Sequence, residues 1–319
     1  MEKFNSLIFA GLVAGLFSSG TAMAADPAPA NETPLQEVLD SSMQEGLQPK
    51  GDDVETMRKQ IKSEAGVHDL ETIGKKTNNP VGSAWMMWFQ NDFTVMDGDA
   101  SEHEENWNSF KLQPVMSFPF KMGGDPWNFI VRPVFQFQSF SFAGDRTTGF
   151  GDIAMDIAIG PDRTDGVIWG LGVANIFPTA SEDEVGQDKW QAGPAVLLAH
   201  LAPKVGGFNV GFFAQHFWSY AGDDDRPDTS LTDIQYFIQY RLSKTETLGM
   251  APNIQYDWEA DSDNALKLPI GFGYQNVTKV GNTPIKYGLE FQYYVVQPDD
   301  FGPVWNVRFI FVPVIQSPF

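Results

Sequence analysis

The sequence predicts an all-β fold: a transmembrane antiparallel up-and-down β-barrel of about 12 strands. Three observations predict it. The first is long alternation, clearest in FNVGFFAQHFWSYAGDDDRPDTSLTDIQYFIQYRL at 208–242. Side chains alternate across a strand, so Phe208, Val210, Phe212, Ala214, His216, Trp218 and Tyr220 share one face. Asn209, Gly211, Phe213, Gln215, Phe217 and Ser219 share the other. The pattern continues through Ile234, Tyr236, Ile238, Tyr240 and Leu242 against Asp233, Gln235, Phe237, Gln239 and Arg241. Each run is long enough for a tilted strand to cross a bilayer, which takes roughly 9–11 residues.

The second observation is composition. Aromatics make up 13% of the 319 residues, yet the net charge is −20 and the mean hydropathy is −0.23. A soluble acidic protein buries its aromatics, whereas a membrane barrel shows them to lipid. The same charge argues against nucleic acid and anionic membrane surfaces as partners. Cys is absent, which excludes disulfides and thiolate metal sites.

The third observation is the sorting of connections. Twelve strands are expected near 84–96, 107–119, 127–141, 150–160, 166–177, 190–202, 207–220, 230–242, 247–259, 265–277, 284–296 and 304–317. Connections after even strands are short and mildly basic: KMGGDP, PDRTDG, PKVGG, SKTET and KVGNTP. Those after odd strands are acidic: DGDASEHEE, AGDRTT, TASEDEVGQDK, AGDDDRPD, ADSDN and QPDD. Every strand reverses direction, so the two sets fall on opposite sides. Short periplasmic turns and longer extracellular loops are the asymmetry such barrels show.

Taken in order, the chain opens with Lys3, an apolar run at 7–16 and Ala22-Met23-Ala24. This reads as a signal peptide over 1–24, its apolar run too short to span as a helix. Residues 25–82 read as a periplasmic N-terminal arm with two short amphipathic helices, from Leu35, Val38, Leu39 and Met43 and from Val54, Met57 and Ile61. A plug folded into the barrel mouth is the sharper alternative for this arm. The barrel itself is expected over 83–319. Pro114, Pro133, Pro252, Pro269 and Pro313 fall within predicted strands, all but Pro269 on the outward face. Bulges are the usual compensation. Phe319 ends the chain with an aromatic, as outer-membrane barrels generally do, and is the expected contact for the barrel-assembly machinery.

The segments KKTNNPVGSAWMMWFQNDF, GFGDI, IFPTASEDEVGQDKWQAGPA, HFWSYAGDDDRPD, YDWEA and GPVWNVRF resemble bacterial outer-membrane proteins of the meta-pathway of phenol degradation family. Some of those proteins carry the label "neuromedin U" or "transporter". The resemblance spans nearly the whole barrel. It implies a Gram-negative outer-membrane location and a porin-like role in moving small molecules, with no catalytic residues to carry over.

Strand parity turns Asp92, Lys111, Arg132, Asp152, Asp156, Asp233, Arg241, Asp257, Lys267, Lys286, Glu290 and Arg308 into the lumen. Charges there must be paired or hydrated. Their balance suits a narrow aqueous passage for aromatic or weakly charged solutes, or else a lumen closed by salt bridges. Aromatic girdles are expected from Trp88, Trp107, Trp169, Trp218, Trp258, Tyr293 and Trp305. The acidic extracellular loop offers Asp223, Asp224, Asp225 and Asp228 as hard oxygen ligands. Their spacing matches no EF-hand, Arg226 sits among them, and no metal or other cofactor is expected. Pairing of Arg226 with a neighbouring carboxylate is the competing use. His216 and Ser219 are three apart, hence on opposite faces, and no enzyme is expected. The partners expected are outer-membrane lipid and a small-molecule solute. A surface-interaction barrel without solute conduction is the rival function.

Overall fold

A computed structural model describes residues 70–79 and 81–315. The signal peptide at 1–24, most of the arm and Phe319 lie outside the described residues. After a helical segment at 70–77, the chain forms β1 (Trp85–Asp97), β2 (Glu105–Met122), β3 (Asp125–Phe142), β4 (Asp145–Phe150), β5 (Ile153–Pro161), β6 (Gly166–Phe177) and β7 (Lys189–Leu201). It continues with β8 (Phe208–Gly222), β9 (Ser230–Arg241), β10 (Glu246–Met250), β11 (Asn253–Asp257), β12 (Leu266–Val280), β13 (Thr283–Val296) and β14 (Gly302–Ile315). All pairings are antiparallel, and β1 pairs with β14 to close the sheet. β4 and β5 both pair with β3 and are halves of one crossing strand. β10 and β11 both lie between β9 and β12 and are halves of another. The barrel therefore has 12 crossing strands.

AGDRTT differs from its expected loop. Ala143 and Gly144 alone make the turn, with φ of 52° and 86°, the mirror-image hairpin geometry whose twist suits paired strands. Asp145–Phe150 then continues as strand. The acidic residue and paired threonines suggested a loop, but Asp145 and Thr148 are exposed and Thr147 half-buried on a strand that pairs with β3.

Four of the five strand prolines sit where the ladder is already broken, whereas Pro313 lies in unbroken register opposite Ile285. Leu112 pairs with Phe135 and Met116 with Val131, which sets Pro114 opposite Pro133 in the gap between them. Two missing N–H groups thus share one interruption. Pro269 lies at a register shift against β13. Pro252 occupies the break between β10 and β11 and is fully buried, unlike the outward exposure expected of it.

The two faces invert those of a soluble protein. Gln90, Asp92, Asn128, Asp156, Gln191, Gln292 and Asn306 are buried inside. Outside, Leu171, Phe272, Leu289, Phe291 and Phe309 are each about half exposed or more. In water each would forgo part of the ~1.5–3 kcal/mol that burying such a side chain provides, so this wall calls for an apolar surrounding. Trp305 and Phe93 pack at 5.9 Å, and Tyr256 and Trp258 at 4.7 Å, on that outer face. Trp88 and Trp107 depart from the expected girdles. Trp88 lies inside beneath Lys286 Nζ, 5.4 Å from its ring centre, and Trp107 Nε1 donates to Gln138 Oε1 at 2.9 Å. Both share the parity of their inward neighbours, Gln90 and Ser109, and parity decides. Among the described residues no helix is long and apolar enough to cross a membrane.

Candidate functional site: the barrel lumen

A belt of charge rings the middle of the lumen. Arg308 stands opposite Asp92 on one side and Glu290 on the other. Its Nε donates to Asp92 Oδ1 at 2.7 Å, and Lys111 Nζ lies 3.6 Å from Asp92 Oδ2. Gln90 Nε2 also donates to Asp92, at 2.6 Å. Further round, Arg132 Nη2 meets Asp156 Oδ2 at 2.6 Å, and Gln215 reaches the same carboxylate. Asp233 accepts from Asn253 at 2.7 Å and Gln255 at 2.8 Å, while Lys267 lies within the field of Asp233 and Asp257. These lumenal carboxylates are thus hydrogen-bonded or lie near a cation, as low-dielectric surroundings demand.

The break at Pro252 belongs to this belt. With the ladder interrupted, Ala251 turns its backbone inward: its N–H donates to Glu290 Oε2 at 2.9 Å. Its carbonyl accepts from Arg308 Nη1 at 3.1 Å. A lost sheet bond becomes a strut across the lumen between β10 and β14.

Below the belt lies an apolar layer of Val81, Met86, Val115, Ile130, Leu197 and Ile310, with Trp88 and Phe213 packed against it. Val81 is not from the wall. It belongs to the segment before β1, which fills the end of the barrel carrying the short turns. There Glu71 faces Arg241 at 3.5 Å, Lys244 at 3.7 Å and Lys75 at 3.7 Å. Asn78 Oδ1 accepts from Lys286 Nζ at 2.8 Å, Asn79 Nδ2 donates to Arg163 O at 2.5 Å, and Asn128 Nδ2 donates to Val81 O at 2.9 Å. A cavity of about 180 Å³ remains between belt and segment, lined among others by Asn78, Trp88, Phe213, Phe237, Lys286 and Arg308.

The opposite mouth is narrowed by the β6–β7 connection. Asp152, in the break between β4 and β5, accepts from the backbone N–H of Thr179 at 3.0 Å, Ala180 at 3.1 Å and Gln187 at 2.8 Å. Gln138, an inward side chain, donates to Val185 O at 3.4 Å, so this connection rests on the lumenal side of β3. Arg226 clamps it from the acidic loop, donating to Asp183 O at 2.5 Å and Gly186 O at 2.6 Å, with Nε 3.4 Å from Asp188. Lys189 Nζ and Ser219 Oγ both reach Asp228 Oδ1, at 3.2 and 3.1 Å. These bonds and the Lys189 charge hold the Asp228 carboxyl below its ordinary range. Asp223 and Asp225 close a local turn, Asp225 N donating to Asp223 Oδ1 at 2.9 Å, and Asp224 is exposed. Among the described residues no group of three His, Asp or Glu side chains could hold a metal ion. His216 Nδ1 meets Thr232 Oγ1 at 2.7 Å, and its ring packs 4.0 Å from that of Trp218.

Of the lumen residues expected from sequence, Asp92, Lys111, Glu290 and Arg308 are brought together, as are Arg132 with Asp156, and Asp233 with Lys267 and Asp257. Arg241 and Lys286 instead meet the segment before β1, and Asp152 holds a loop. Sequence reasoning missed Asn78 and Val81 and set Trp88 in a girdle, although its parity is that of inward Gln90. Alternation placed Phe213 and Phe237 on the face of Gln215 and Gln239 without giving them a part in the site.

The chain matches no known family model and no curated protein. Among solved structures it is similar to an outer-membrane channel from Pseudomonas putida F1, at TM-score 0.56 and 12% identity, over 73% of this chain and 96% of that one. This likeness shows a shared fold, that of outer-membrane barrels. The NanC porin overlays at TM-score 0.44 and 12% identity, over 72% and 100% of the two chains. The P. putida toluene transporter TodX overlays at 0.36 and 8%, over 74% and 90%. Both overlays are too loose to bear on function.

Proposed function

We propose that this barrel sits in the bacterial outer membrane, among the channels of the meta-pathway of phenol degradation family. In this reading it passes small aromatic or weakly charged molecules passively through its lumen. One observation carries the reading: a closed barrel, apolar outside, surrounds a charge-balanced belt and a cavity that its own wall leaves unfilled. The paired charges of the belt give a solute polar contacts along the passage. The fold shared with a protein described as a channel supports the same reading. Lipid covers the outer face, and Phe319 addresses the chain to the barrel-assembly machinery.

A second reading has a specific observation in its favour. Residues 70–79 and Val81 occupy one end of the lumen, which suits a sealed barrel whose acidic loops are its working surface. Single-channel recording in planar bilayers separates the two. The channel reading expects small conductance from the full chain and larger conductance from one lacking residues 25–80. Absence of conductance above background from both would leave the surface barrel standing.

A further inference from the structure

We infer that the lumenal cavity is a binding site for a monoanionic amphipath: a small carboxylate with an aromatic or short alkyl body. The inference rests on the channel reading above and names the class of solute that pauses in the lumen.

Lys286 carries the argument. It is 4% exposed, and its ammonium has Asn78 Oδ1 at 2.8 Å and the Trp88 ring at 5.4 Å. Neither partner bears a charge, and no described carboxylate lies within 4.0 Å of it. The lumenal guanidinium groups are placed differently: Arg132 has Asp156 at 2.6 Å, Arg308 has Asp92 at 2.7 Å and Arg241 has Glu71 at 3.5 Å. A buried cation without a counter-charge is costly to hold. A second group on the same wall is also unsatisfied. Trp88 Nε1 is buried and has no hydrogen-bond partner, although a buried N–H ordinarily finds one. Lys286 and Trp88 both line this cavity, whose wall also includes Val115, Ile130, Leu197, Phe213 and Phe237 beside Glu290, whose carboxylate already accepts from Ala251 N and Gln292 Nε2. A carboxylate supplies the missing charge and acceptor, and a ring or short chain fills the apolar remainder. A cation supplies neither, and a neutral sugar supplies the acceptor but not the charge.

The outer mouth limits the class further. Asp223, Asp224 and Asp225 are exposed there, and their field opposes entry of polyanions most strongly. One negative charge on a mainly apolar body satisfies both ends of the passage.

The test is equilibrium binding to the full-length barrel in nanodiscs, by calorimetry, of three probes with one body: 3-phenylpropionate, 3-phenylpropanol and 3-phenylpropylamine. The acid is expected to bind at least tenfold more tightly than the alcohol, and the amine weakest. Lys286→Met should erase the acid's advantage and leave alcohol affinity unchanged, in protein whose folded gel mobility is retained. Trp88→Phe, which keeps the ring and removes the N–H, should weaken the acid several-fold more than the alcohol. If Lys286→Met does not fold, the wild-type series and Trp88→Phe decide. Equal binding of acid and alcohol, tightest binding of the amine, or an acid preference surviving Lys286→Met would each overturn the site. Binding is read apart from conductance: acid selectivity in a non-conducting barrel would keep the site and sink the channel reading, whereas conduction without acid selectivity would do the reverse.

Discussion

Arg308 and Ala251 are joined across the lumen, guanidinium Nη1 to backbone carbonyl, at 3.1 Å. They belong to β14 and to the break before β11, strands that do not pair. The same guanidinium neutralises Asp92 at 2.7 Å and faces Glu290, so one side chain serves wall, belt and strut.

Arg308→Met should therefore cost more than a surface charge would. Removing one member of a buried pair leaves an uncompensated charge, worth roughly 3–5 kcal/mol, and here two carboxylates lose a partner. Urea unfolding of the barrel in detergent measures it. Adding Asp92→Asn should recover part of the loss, because the two changes remove one interaction. Strictly additive costs would mean the pair is not coupled.

Face assignment gives a second contrast. Phe212 is outward and 37% exposed, while Gln239 is buried inside and borders the cavity. Phe212→Arg near the midplane should destabilise the barrel by about 2–4 kcal/mol, and Gln239→Arg by clearly less. Equal costs in the same unfolding assay would contradict the inside–outside assignment.

The acidic loop should respond to pH in one direction. The Asp228 carboxyl is held below its ordinary value by hydrogen bonds from Lys189 and Ser219 and by the Lys189 charge. A lowered folded value means its contribution is complete above the unfolded carboxylate pKa of about 4. It is lost as pH falls through the lowered value. Pepsin nicking of the loop should thus rise below about pH 4, and Asp228→Asn should raise it beforehand and shrink the wild-type difference. Because the Asp228 carboxylate is exposed, the effect should be small. A difference between wild type and variant that grows on acidification would refute the assignment.

Much of this was legible because one rule, alternation, acts on every strand. Gln239 and Phe212 could be assigned to opposite sides from spacing alone. The interior beyond the wall was less legible. TNNPV at 77–81 has no periodicity, and only in three dimensions do Asn78 and Asn79 meet Lys286 and Arg163 O. Trp88 was misplaced because its residue type suggested a girdle while its parity said lumen. Arg226, read either as an intruder among candidate ligands or as the partner of a neighbouring carboxylate, lies 3.4 Å from Asp188 and clamps a neighbouring loop through carbonyls at Asp183 and Gly186, a contact between connections that no local pattern encodes. The Ala143–Gly144 turn was hidden because Ala seldom adopts its φ of 52°.

The central claim, a barrel crossing the outer membrane with its acidic loops outside, is tested most directly by labelling single cysteines in this Cys-free chain. Asp224 and Lys204 are both exposed, in the connections after β8 and β7. Lys204 is preferred to Gly206, whose φ of 82° a cysteine would strain. Asp224→Cys should react with a membrane-impermeant maleimide on intact cells, and Lys204→Cys only after the outer membrane is permeabilised. Reaction of both on intact cells, or of Lys204→Cys alone, would contradict the account.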